Sequence, residues 1–65
     1  MTFDEAKNLE LEDLVQRKSD NKLLSVEDVF VAKKRRGVGK IVILDCVEYT
    51  DKGIALHVLA HTELV

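Results

Sequence analysis

The stretch LLSVEDVFVAKKRRG, Leu23 to Gly37, decides the fold, because it supports two incompatible readings. As a helix it runs from Ser25 to Arg36. Ser25 is then the N-cap, Glu27 and Asp28 fill the first turn, the basic residues fill the last turn, and Gly37 ends it. As a strand it runs from Leu23 to Ala32. Val26, Val29 and Val31 are β-branched and Phe30 is aromatic, side chains that lose rotamer freedom in a helix and pack well on a pleated sheet. Their weight favours the strand.

Outward from this segment the chain reads as a β meander. DLVQRK, Asp13 to Lys18, is an upstream strand, joined to the decisive one by a turn at Ser19-Asp20-Asn21. Downstream, Arg35-Arg36-Gly37 turns the chain into VGKIVILDCVEY, Val38 to Tyr49. Thr50-Asp51-Lys52-Gly53 is a hairpin loop leading to IALHVLAH, Ile54 to His61. On that last strand Ile54, Leu56, Val58 and Ala60 form a strictly apolar face, and Ala55, His57, Leu59 and His61 a mixed one. The strand before it is apolar on both sides around Ile41 to Leu44, so the sheet needs cover on both faces. Thr2 to Asn8 is a short helix with Thr2 and Glu5 in a capping box. It can cover one face; barrel closure or a second subunit can cover the other.

Composition bounds the rest. Sixty-five residues make one domain, 1–65, and a chain this short is marginal alone. One cysteine, Cys46, forms no internal disulfide, and no Cys/His set has zinc spacing. Neither a metal nor a cofactor is expected. A homodimer is the natural way to bury more surface. No apolar run approaches a membrane helix, and the acidic start MTFDEAKNLELEDL lacks a signal peptide's basic and apolar segments, so a cytoplasmic protein is expected.

EDLVQRKSDNK, Glu12 to Lys22, and HTEL, His61 to Leu64, resemble small, largely uncharacterised bacteriophage and prophage proteins with an SH3-like barrel. That group has a Gly-Asp-x-Val-x-Arg-Lys strand, a Ser-Asp-Gly turn and a closing His-Thr-Glu-Leu. Here Glu12 and Asn21 stand where the pattern has glycine. The resemblance implies a mainly β fold: a small, partly open antiparallel SH3-like barrel with a short N-terminal helix. The helical reading of Ser25 to Arg36 leads instead to an α+β alternative, helices packed on a C-terminal β-hairpin. Barrels of this kind bind peptides, proteins or nucleic acids, and fold alone does not choose among them.

The candidate site is the run KKRRGVGK. Lys33, Lys34, Arg35, Arg36 and Lys40 are five of the ten basic residues, in a chain of formal charge −2. On a hairpin tip they can meet an acidic protein surface or a nucleic-acid backbone. A chain acidic overall, without aromatics in the run, leans towards protein. The run also reads as a solvated turn whose charge discourages edge pairing. GVGK is not a P-loop, since GxxxxGK[ST] is incomplete. His57 and His61, four apart on a strand, share a face but lack the ligands to complete a metal site. Cys46, near Asp45 and Glu48, is a buried hydrophobe rather than a nucleophile. The early acidic residues Asp4, Glu5, Glu10, Glu12 and Asp13 read as caps and solubilising charge. The function expected is a non-enzymatic, phage-type binding or regulatory module.

Overall fold

The computed structural model describes residues 1–65. The chain runs α1 (Phe3–Lys7), β1 (Leu14–Gln16), β2 (Leu23–Lys33), β3 (Lys40–Thr50) and β4 (Gly53–Ala60), then a 3₁₀ turn, His61–Glu63. The strands form one antiparallel sheet in the order β1-β2-β3-β4, curled into a half-barrel. No helix is long and apolar enough to cross a membrane.

The decisive stretch is strand β2, and the helix over Ser25 to Arg36 does not form. Its ladder with β3 is uninterrupted except at Glu27, where the register shifts by one residue in a bulge. The shift changes which residues face inward. Leu24 and Val26 point into the core before it, and Val29 packs against the core after it. The Asp28 carboxylate accepts the N–H of Val29 (2.8 Å), a local bond that steadies the bulge.

β4 ends at Ala60, one residue short of the expected strand, and His61 leaves the sheet in the 3₁₀ turn. The chain then returns to β1. Leu64 pairs with Arg17, the Lys18 N–H donates to the Glu63 carbonyl, and the Val65 N–H donates to the Gln16 carbonyl, both at 2.9 Å. β1 is thereby covered along its outer edge. β4 bonds only to β3 and is the open edge of the sheet.

The core lies inside the curl: Val15, Leu24, Val26, Val42, Leu44, Cys46 and Leu59, with Ala6 from α1 and Leu64 from the closing segment. Helix α1 forms where the capping box placed it. The Thr2 hydroxyl accepts the Glu5 N–H (3.2 Å), and the Glu5 carboxylate accepts the Thr2 N–H (3.0 Å). Ala6 is its buried residue, and Phe3 meets the His61 ring edge-on. The inward side of β4 is the mixed one. Leu59 is buried, whereas Ile54, Leu56 and Val58 on the apolar side are 64%, 79% and 71% exposed.

Two non-glycine residues have positive φ: Glu12 at 73° and Asn21 at 59°. Both sit at turns flanking β1. The Glu12 N–H donates to the Val26 carbonyl (2.7 Å), so the strained residue is tied to the sheet.

Candidate binding site

Long strands with no bulge beyond Asp28 carry the β2–β3 hairpin outward, and its apex holds the basic run. Lys33 pairs with Lys40 at the end of the ladder, and the Lys34 N–H donates to the Gly39 carbonyl (3.2 Å). Gly37 and Gly39 adopt φ of 85° and 110°, which a side chain would strain. The loop between the strands is longer than the expected three-residue turn. The structure brings Lys33, Lys34, Arg35, Arg36 and Lys40 together on one exposed apex. None of the five takes part in an ion pair; the molecule's salt bridges use Lys7, Arg17, Lys22 and His57 instead. At the summit Val38 is 95% exposed.

A second polar cluster was not legible in the sequence. Arg17 grips Asp20 in a two-pronged pair (2.9 and 2.5 Å). The Nε2 of His57 lies 3.0 Å from Glu48 Oε1, and its Nδ1 lies 3.4 Å from Arg17 Nη1. Lys22 reaches the other Glu48 oxygen at 3.2 Å. A guanidinium only donates, so this arrangement suits an imidazole that accepts at Nδ1 and donates from Nε2. Both ring nitrogens thus have partners within the cluster. Arg17 holds the Asp20 carboxyl down to about 2. Lys22, and then His57, lower that of Glu48. Only Arg17 and Asp20 are near in sequence. Glu48 and His57 arrive through the β3–β4 register, in which Cys46 pairs with His57 and Glu48 with Ala55.

The two histidines do not converge. His61, buried beside Phe3, accepts the Val42 N–H at Nδ1 (3.2 Å). Its shared strand face with His57 is therefore corrected: the 3₁₀ turn gives it a different environment. No group of three His, Cys, Asp or Glu side chains is placed to hold a metal ion. Cys46 is 1% exposed, and burial, then Asp45, pushes its thiol up, away from the nucleophilic thiolate. Among the early acids, Asp4 pairs with Lys7, Glu5 caps α1, and Asp13 accepts the Glu10 N–H (2.8 Å).

Away from the tip, towards the Thr50 end of β3, the outer face of β3 and β4 holds a hollow of about 530 Å³. Tyr49, Ile54, Leu56 and Val58 give it apolar walls, and Glu27 and Asp45 add carboxylates. Neither carboxylate belongs to an ion pair.

The chain matches no protein-family model, no curated protein and no solved structure.

Proposed function

We propose that this chain is a non-enzymatic binding module that recognises an acidic protein surface with its basic hairpin tip. The observation that carries this reading is the apex itself: five cations raised on a long hairpin, none of them neutralised within the molecule. Unpaired cations lose no internal partner on binding, and Arg35 and Arg36 suit two-pronged contact with carboxylates. The tip lacks aromatic side chains for base stacking, and the chain is acidic overall, which favours protein over nucleic acid.

The framework we propose is an SH3-like, partly open barrel of the phage type. The return of the chain through a 3₁₀ turn to pair with β1 supports it. So do Glu12 and Asn21: the two positions where the resemblance expects glycine have the positive φ that glycine accommodates.

Capture from host lysate, with and without nuclease, compares the wild type with Arg35→Glu/Arg36→Glu. A defined protein that survives nuclease and is lost in the variant is the expected result. Recovery of nucleic acid alone, lost after nuclease or in raised salt, reassigns the tip to nucleic-acid binding.

A further inference from the structure

The outer hollow and the basic tip are chemical opposites. The hollow has apolar walls and two unpaired carboxylates, Glu27 and Asp45. Its complement is a small apolar knob ringed by cations. The chain carries such a knob: Val38 at the summit of the hairpin, flanked by Arg35, Arg36 and Lys40. We infer that the tip of one copy docks in the outer hollow of a second copy, and that two such contacts close a twofold dimer. The inference rests on the tip as a recognition surface and names its partner as another molecule of the same chain.

The geometry permits both contacts at once. The tip lies at the Lys40 end of β3, and the hollow lies towards its Thr50 end, alongside the start of β4. Two copies laid antiparallel, outer face to outer face, put each tip over the other's hollow. Phe30 and Ile43, paired across β2 and β3 and facing the same way, then meet near the axis. The contact is isologous and closes on itself rather than growing into a filament.

Charge and size agree. No acidic residue lies between Lys33 and Lys40, so the rest of the chain has five basic residues against all 12 acidic ones. An antiparallel pair sets positive end against negative body twice. The broad aspect of the molecule is 40 by 22 Å, and a stable interface takes about 800 Å² from each partner, so one face is large enough. Docking would cover Leu56, Val58, Ile54 and Tyr49, the apolar surface that the fold leaves in water.

Sedimentation from micromolar to millimolar concentration tests the inference. The wild type should form a dimer whose dissociation constant rises about tenfold or more between low and high salt. Three variants should be monomeric over the range where the wild type is dimeric: Val38→Asp, Arg35→Glu/Arg36→Glu, and Glu27→Lys/Asp45→Lys. Val38 has no packing to lose, so its variant guards against misfolding as the explanation. Mixing the two charge-reversed variants should restore a heterodimer, since each acidic tip then meets a basic hollow and each basic tip an acidic one. A monomeric wild type at millimolar concentration overturns the inference. So does a dimer that survives all three variants, which would move the interface to the open β4 edge, or a mixture that stays monomeric. Loss of captured host protein in Arg35→Glu/Arg36→Glu, with a monomeric wild type, would sink the dimer and leave the proposed recognition by the tip intact.

Discussion

Glu12 is the residue at which chemistry and backbone disagree most. Its φ of 73° lies in the left-handed region, which costs an L-residue roughly 1–2 kcal/mol, while glycine's extra freedom in the unfolded chain costs roughly 0.5–1 kcal/mol. Glu12→Gly should therefore raise unfolding stability by up to about 1.5 kcal/mol, seen as a higher urea midpoint with unchanged slope. A lower midpoint would mean that the Glu12 side chain contributes something its position does not reveal. At this scale much was legible. The Thr2–Glu5 capping box, the turn residues around Asn21 and the buried character of Cys46 follow from local rules. The Arg17–Asp20–Glu48–His57 cluster was not, because no local spacing links a turn after β1 to the inner faces of β3 and β4.

Strand β2 explains why the decisive stretch read two ways. A single bulge at Glu27 shifts its alternation by one residue, so neither half continues the pattern of the other. Without one unbroken period of two, the acidic pair Glu27–Asp28 and the basic end imitate helix caps. The apolar alternation of β4 was clear, but its more apolar side faces outward. The inward side carries His57 over the polar cluster and Leu59 over the core. Acid should reach the elements through that cluster. The folded-state values of Asp20 and Glu48 lie below their ordinary 3.8 and 4.5, so the stabilisation they give is present above those values. It is lost as pH falls from there towards about 2, where Asp20 titrates in the folded chain. Thermal melts should show the melting temperature falling across this window, and Asp20→Asn should flatten the fall. An equally steep fall in Asp20→Asn would place the acid-sensitive contact elsewhere.

For the whole molecule, closure depends on one side chain near the end of the described chain. Leu64 is fully buried, and its neighbours bond to β1. Leu64→Ala should cost about 2–5 kcal/mol. A domain of this length has a total of about 3–10 kcal/mol at the usual value per residue, so the variant should lose a large share of its stability and unfold at a clearly lower urea concentration. A cooperative near-wild-type denaturation curve would show that the closing segment is dispensable. The meander, its strand order and the short helix were readable from turn residues and β-branched runs. The closure was not, because Leu64 to Val65 is too short to carry a strand pattern and pairs with a partner some 47 positions away (Arg17↔Leu64).

The single thiol also makes the protein its own clock. Cys46 is 1% exposed and belongs to the core, so a thiol reagent meets almost none of it in the folded chain. Labelling must wait for the sheet to part. The reaction rate in native buffer, with reagent in excess, thus reports how often the interior opens. It should be far slower than that of the unfolded chain and accelerate with added denaturant. Dilution gives the same clock a second use: partners that hold the sheet shut will slow it, and their departure will be read as faster labelling.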